Sequence, residues 1–159
     1  MSRISLPEFN AILDRELPIT RLLGIHTEAI THGQGRLRMA YNPDLVRPGG
    51  TVAGPAMMAL ADVAMYAVVL SLLGPVELAV TTNLHINFLR KPAPGDILAE
   101  AHALKGGKRL TVVEVELYSE ATPGDVDRTL VAHVTGTYSA PPNPDPAAVS
   151  RAIEVGAWE

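Results

Sequence analysis

The 159-residue sequence contains no cysteine, and only 4% of its residues are aromatic. Without cysteine, disulfides, zinc–thiolate sites, iron–sulfur ligation and cysteine nucleophiles are excluded, and nothing indicates an oxidising compartment. Basic residues are outnumbered, because 13 Lys and Arg against 17 Asp and Glu give a formal net charge of −4. Binding to a phosphate backbone requires many clustered basic side chains, so we expect no nucleic-acid partner.

Targeting and membrane signals are also scarce. The N-terminus lacks the apolar core of a signal peptide, which predicts a cytoplasmic location. Residues 54–73 are long enough to cross a bilayer, but Asp62 lies near the middle and no basic clusters flank them. We therefore expect a helix buried in protein and no membrane partner.

Several catalytic motifs are missing. The sequence has no Gly-x-Ser-x-Gly elbow, P-loop or dinucleotide fingerprint, which argues against serine hydrolases, nucleotide hydrolases and dehydrogenases. A metal site is not expected either, because the histidines do not show the short spacings of metal ligands. They are His26, His32, His85, His102 and His133.

The length fits one domain, and 47% hydrophobic with 19% charged residues is a globular balance. We expect a single domain over residues 1–140, including a short N-terminal helix. Residues 141–159 are predicted to form a proline-rich extension with a weak helical patch that ends at Trp158.

Two helices and six strands are predicted. Ser5 and Glu8 have the spacing of a capping box for a short helix that ends before Pro18. A long helix begins at Gly54 and stops at Gly74. Alternating apolar residues predict strands at 25–31, 34–41, 79–89, 96–105, 110–119 and 128–139.

Two local predictions bear on the site. Residues 42–50 are dense in turn formers and are expected to form a loop that cannot continue a strand. In the third strand, alternation puts one set of side chains on the core face and another set on the opposite face. These sets are Leu84, Ile86 and Phe88 against Thr81, Asn83, His85 and Asn87.

The long helix is apolar on nearly every side and therefore needs cover all round. A curved antiparallel sheet wrapped around it is the simplest solution, which predicts an α+β fold.

Asp62 is the most informative residue. An ionised carboxylate within an apolar helix costs several kcal/mol unless it is paired, hydrogen-bonded or close to a water-filled site. A structural ion pair across an interface would explain it, and so would a catalytic role. Because the rest of the helix resembles a pocket wall, we favour catalysis.

The start of the same helix, at Gly54, offers unpaired backbone N–H groups and the positive end of the helix dipole. Such an end can polarise a substrate carbonyl and stabilise the developing oxyanion. Glycine followed by proline is also common at helix starts for structural reasons alone.

Four segments together carry a family resemblance. They are Gly-Thr-Val-Ala-Gly at 50–54, Leu-Ala-Asp-Val-Ala at 60–64, Thr-Thr-Asn-Leu-His-Ile-Asn-Phe-Leu-Arg at 81–90 and Pro-Gly-Asp at 94–96. This pattern resembles the phenylacetate-degradation type of hotdog-fold acyl-CoA thioesterase, within the 4-hydroxybenzoyl-CoA thioesterase superfamily. The resemblance implies a hotdog fold, hydrolysis of an acyl-CoA substrate, and no cofactor, since coenzyme A is part of the substrate.

The resemblance also implies roles for particular residues. The Gly54 N–H would polarise the carbonyl, Asp62 of the opposing subunit would act as general base or nucleophile, and Thr81 would help to position the attacking water. The sequence departs from the family where Ala53 replaces a histidine, Pro55 a glycine and Arg47 an assisting asparagine. Ala53 and Arg47 therefore become candidate substrate-binding positions.

Further substrate-binding candidates are basic or apolar. Arg90 and Lys91, and Lys108 and Arg109, could hold the phosphates of coenzyme A, although turn cations are often merely solvated. The side chains of Met58 and Tyr66 could line an acyl pocket, although such residues on an apolar helix are more often ordinary core.

Assembly follows from the helix geometry. Gly54 and Asp62 are about 12 Å apart at 1.5 Å per residue, too far to meet at one carbonyl, so we expect a homodimer or homotetramer with sites between subunits. A non-catalytic acyl-CoA binding module remains an alternative. A hydratase-like hotdog enzyme is disfavoured, because Met65, Tyr66 and Ala67 occupy the stretch where a histidine would be expected.

Overall fold

The computed structural model describes residues 1–122, 124 and 127–142. Almost all of the predicted C-terminal extension, including the patch that ends at Trp158, lies outside the described residues. Within them, helices and strands form one packed unit around a single hydrophobic core.

The N-terminal helix α1 spans Leu6–Glu16, and its capping box is confirmed. The Ser5 N–H donates to the Glu8 carboxylate at 2.8 Å, while the Glu8 N–H donates to Ser5 Oγ at 3.4 Å. Hydrogen bonds from Ser5 lower the pKa of Glu8. A second short helix, α2 at Ile19–Leu22, was not predicted.

The main sheet has six antiparallel strands. Their bounds are β1 Ile25–Thr31, β2 Gln34–Met39, β5 Val80–Phe88, β6 Asp96–Gly106, β7 Leu110–Glu120 and β8 Thr129–Ser139. The spatial order β1-β2-β6-β7-β8-β5 leaves β1 and β5 as the edge strands. The strand that follows the long helix, β5, therefore pairs with β8, the last strand within the described residues.

The loop prediction for residues 42–50 is wrong in one respect. β3 (Val46–Arg47) pairs with β4 (Thr51–Val52) in a small separate hairpin. Gly49 and Gly50 have φ values of 96° and 78°, in the region where glycine meets no Cβ penalty. They reverse the chain tightly enough for four residues to pair beside the start of the long helix.

The long helix, α3, spans Gly54–Leu73 and packs along the inner face of the main sheet. It is long and apolar enough to cross a membrane, but 72% of its most apolar window is buried within the fold. Its side chains meet those of β2, β6 and β7 in the core. The predicted α+β arrangement, with an antiparallel sheet around one buried helix, is confirmed.

Strand β5 departs from simple alternation at one point. A β-bulge interrupts its pairing with β8 between Thr81 and Asn83, and Thr81 lies opposite the inward-facing Tyr138. The extra residue of a bulge shifts the side-chain period by one. Thr81 therefore faces α3, which corrects the prediction that it shares the outer face with Asn83, His85 and Asn87.

The far end of β5 also differs from prediction. Leu84 and Ile86 pack against the core as predicted, but Phe88 is 51% exposed. The Phe88 ring lies over the start of α3, and a Cβ added at Gly54 would come within 3.2 Å of its Cζ. The side chain thus covers the helix end rather than filling the core.

Candidate active site

The start of α3 presents a single free backbone donor. Ala56 and Met57 donate their N–H groups to the Ala53 carbonyl, at 3.1 and 3.3 Å, and Pro55 has no N–H. No acceptor among the described residues meets the Gly54 N–H. The Gly54 N–H is therefore the backbone donor that the positive end of this 20-residue helix offers to a ligand.

A cavity of about 550 Å³ opens in front of this helix end. Its walls bring together five residues that the sequence singled out and one further residue of α3. They include Arg47, Ala53, Gly54, Met57, Arg90 and Lys91. Three of these carry positive charge and none of the lining residues is acidic, so the cavity suits an anionic ligand such as a phosphate.

Asp62 lies on the third turn of α3 and is half-buried. Its Oδ1 accepts hydrogen bonds from Thr81 Oγ1 at 2.6 Å and from the Tyr138 hydroxyl at 3.2 Å. No hydrogen bond to Oδ2 and no ion pair to Asp62 occurs within the described part of the chain. Within one protomer the carboxylate is thus held through one oxygen by neutral donors.

A second cavity, of about 340 Å³, adjoins Asp62. Two tyrosines form part of its wall: Tyr66 and Tyr138 stack with their ring centroids 6.1 Å apart. The Tyr66 hydroxyl donates to the Glu77 carbonyl at 3.1 Å, and burial raises its pKa above the usual range. The cavity wall thus combines these aromatic rings with two acidic residues, Glu16 and Glu77.

Some predicted residues lie elsewhere. The Met58 side chain is 40% exposed and lines neither cavity, whereas its neighbour Met57 lines the Gly54 cavity. Helical geometry explains this, because adjacent residues point about 100° apart.

The basic turn between β6 and β7 lies far from the Gly54 cavity. Lys108 and Arg109 border neither cavity. Their turn lies at the end of the sheet where β5 begins, since Leu110 and Val80 both pair with Ser139. Arg90 follows the opposite end of β5, so one protomer does not bring the two basic pairs together.

Sequence reasoning missed Tyr138. It lies in an alternating strand and is 4% exposed, so it is indistinguishable from a core aromatic in the sequence. Only the register of β5 with β8, in which Thr81 pairs with Tyr138, shows that both hydroxyls converge on Asp62.

The histidines do not form a metal centre in the described residues, where no cluster of three possible ligands occurs. His102 and His133 both contact Glu114, at 2.9 and 2.6 Å. The hydrogen bond from His133 lowers the pKa of Glu114.

Comparison with known proteins gives consistent results. Residues 49–124 match the family model for the thioesterase superfamily. A provisionally named esterase of Saccharolobus solfataricus is 34% identical over 136 residues, which cover 85% of each chain.

Solved structures agree with this match. A provisionally named thioesterase from Silicibacter sp. TM1040 has a TM-score of 0.76 and 40% identity, covering 89% of this chain and 95% of that one. A mutant phenylacetic acid degradation protein from Thermus thermophilus has a TM-score of 0.67 and 26% identity, covering 78% of this chain and 99% of the other.

Proposed function

The chain belongs to the thioesterase superfamily, and we propose that it hydrolyses an acyl-CoA thioester to a carboxylic acid and free coenzyme A. One observation carries the proposal. Asp62 is a carboxylate in an apolar helix, held by two neutral hydroxyls and beside a cavity, with one oxygen free of protein partners among the described residues. Such a group can serve as a base or a nucleophile.

The proposal requires a second copy of the chain. The Gly54 cavity and the Asp62 cavity share no lining residue, and their key groups lie about 12 Å apart along α3. Each protomer thus carries two half-sites. We propose a homodimer, which could pair further into a homotetramer, in which each half-site faces the complementary half of the partner.

Strand β5 indicates how the halves would meet. It is an edge strand, with Thr81 beside Asp62 near its start and Phe88 over Gly54 at its end. Antiparallel pairing of two β5 strands about a two-fold axis would set the start of one strand against the end of the other. In that pairing, Asp62 of each protomer would approach the partner subunit's Gly54, which would form two equivalent sites.

The chemistry then follows from the groups that converge. The Gly54 N–H would donate to the thioester oxygen and stabilise the negative charge that develops there. Asp62 would take a proton from water as the water oxygen bonds to the carbonyl carbon, or would attack that carbon itself and be released by water. In both routes the carbon–sulfur bond breaks and coenzyme A leaves as a thiolate.

Thr81 can help to position the attacking water in this reaction. Its hydroxyl hydrogen is directed at Asp62, so its oxygen lone pairs remain available to accept from the attacking water.

The basic residues support coenzyme A as the leaving group. Arg47, Arg90 and Lys91 border the Gly54 cavity, and no acid lies among its lining residues. In the two-fold pairing proposed above, the turn with Lys108 and Arg109 would approach the same region from the other subunit. These cations would hold the phosphates of coenzyme A.

A thiol-release assay tests the proposal. Free thiol is measured from a panel of acyl-CoA esters with the wild type and with Asp62→Asn, which removes the charge at nearly constant volume. We expect the variant to lower kcat by about 10²- to 10⁴-fold, the usual contribution of a general base. Asp14→Asn is the matched control, since Asp14 is an exposed carboxylate on α1.

The outcomes separate the candidate functions. Binding of acyl-CoA without thiol release from any ester would support the non-catalytic binding module instead. If Asp62→Asn were as active as the wild type, the carboxylate would not be the catalytic group.

A further inference from the structure

Two hydroxyls from neighbouring strands meet the same oxygen of Asp62. Thr81 and Tyr138 are direct partners in the β5–β8 register, and both donate to Oδ1. The Tyr138 hydroxyl also lies 3.2 Å from the backbone carbonyl of Asp62. Because a phenol carries one hydrogen, Tyr138 shares it between the side-chain and main-chain oxygens of Asp62, and this bridging donor restricts rotation of the carboxylate.

The other oxygen, Oδ2, has no hydrogen-bond donor among the described residues. A carboxylate that is free to rotate would exchange its two oxygens. Here the restraint on Oδ1 distinguishes them, and Oδ2 keeps its lone pairs for a reacting group.

Resting on the function proposed above, we propose that Tyr138 is a positioning residue that, with Thr81, anchors Asp62 Oδ1 and thereby makes Oδ2 the oxygen that reacts. Tyr138 touches neither substrate nor water in this scheme. It acts only through the carboxylate.

The surroundings of Tyr138 suit this role. Its side chain is 4% exposed, and its ring stacks on Tyr66, which in turn contacts Phe9 of α1 at a centroid distance of 5.8 Å. Burial, and then the negative charge of Asp62, raise the pKa of Tyr138 far above its usual range. The hydroxyl therefore keeps its hydrogen and remains a donor throughout the pH range of an assay.

Tyr138→Phe removes the hydroxyl and leaves the ring in place. We expect kcat for thiol release to fall about 10- to 100-fold with little change in KM, because a hydrogen bond to a charged group is lost from a carboxylate that must be well aimed. Tyr118→Phe is the matched control. The Tyr118 hydroxyl also meets a carboxylate, Glu116 at 2.7 Å, but not Asp62.

A double-mutant cycle distinguishes a positioning residue from one that only supports the fold. Thr81→Val and Tyr138→Phe remove donors to one oxygen, so their combined effect on kcat should differ from the product of the single effects. Thermal unfolding of each variant shows whether the fold is kept.

Three results would overturn the inference. They are a Tyr138→Phe kcat within twofold of the wild type, a loss that appears in KM instead of kcat, and single effects that multiply independently. The proposed function is judged separately by the wild type and Asp62→Asn. If the wild type releases no thiol from any ester, the proposed function fails and this inference fails with it.

Discussion

At the scale of single residues, close contacts around α3 explain how the site is held. At Gly136 of β8 the side chain of Met65 from α3 packs directly against the backbone of the sheet. A Cβ at this position would lie 2.8 Å from the backbone oxygen of Asn83, next to the bulge in β5, and would also overlap the side chain of Met65. The absence of a side chain at Gly136 thus lets α3, β5 and β8 pack together two residues from Tyr138.

We predict that Gly136→Ala destabilises the protein by about 1–3 kcal/mol, the usual cost of inserting a methyl group into a closed core. The methyl group meets a backbone oxygen, which cannot move aside as a flexible side chain can. Thermal or denaturant unfolding would measure the change. Thr135→Ala, on the partly exposed face of the same strand, is the control and should lower the free energy of unfolding by less. Equal losses of stability in the two variants would show that close packing is not the reason.

At the scale of elements, a buried ion-pair network joins four strands. The Arg38 guanidinium of β2 contacts Glu28 of β1, Asp96 of β6 and Glu120 of β7. Glu120 is only 2% exposed. Burial alone would raise the pKa of Glu120, but hydrogen bonds from Arg38 and the Gly124 N–H bring it below the ordinary value of 4.5.

We predict that Arg38→Met destabilises the protein at pH 7 by about 3–5 kcal/mol, because it leaves the buried Glu120 carboxylate without its cation. The pKa of Glu120 is lower in the folded protein than in the unfolded chain. The Glu120 charge therefore contributes fully to the free energy of unfolding above pH 4.5, and this contribution is lost as the pH falls through the folded pKa. The penalty of the substitution should therefore shrink in acid. Urea unfolding at several pH values would measure this.

Arg36→Met provides the comparison. Arg36 is half-exposed and pairs with Glu28 at the surface, so its removal should cost no more than about 1 kcal/mol. If the two variants were equally stable at pH 7, the network would not hold the strands in the way described.

At the scale of the whole molecule, the two edges of the sheet differ. Strand β1 contacts α1 and α2 and carries a bulge between Thr27 and Ala29. Strand β5 is open, and the apolar side chains of Val80 and Phe88 at its ends, and of Leu89 just beyond it, are each about half exposed. Uncovered edge strands readily pair with another chain, which favours β5 as the contact in the proposed dimer.

We predict that His85→Glu disrupts the proposed dimer. His85 is exposed next to the centre of β5, so two copies of the new carboxylate would lie close to the two-fold axis and repel each other. Light scattering with size-exclusion chromatography should show a shift to a single chain, and thiol release should fall about tenfold or more, because the half-sites separate.

His26→Glu is the matched control, since His26 is exposed on the opposite edge strand, β1. We expect it to keep both assembly and activity. A wild-type protein that is monomeric and fully active would contradict the shared site.

Much of the fold could be predicted from local sequence. The capping box at Ser5 and Glu8 and the bounds of α3 depend on residues within a few positions of each other, so they can be recognised without tertiary information. The same holds for the strands of the main sheet, which are observed within two residues of their predicted ends. Asp62 could be singled out because a charge in an apolar helix is conspicuous in any sequence.

The features of the fold and the site that only the tertiary structure decided depend on contacts between distant segments. The pairing of β5 with β8, the bulge that turns Thr81 towards α3 and the approach of Tyr138 to Asp62 arise from the register of strands more than 40 residues apart. Local periodicity shows which face of a strand is buried, but it does not show which strand is the partner or distinguish registers that differ by two residues. The sequence by itself thus indicated a carboxylate for the proposed site, and the folded sheet determined which of its two oxygens has no partner among the described residues.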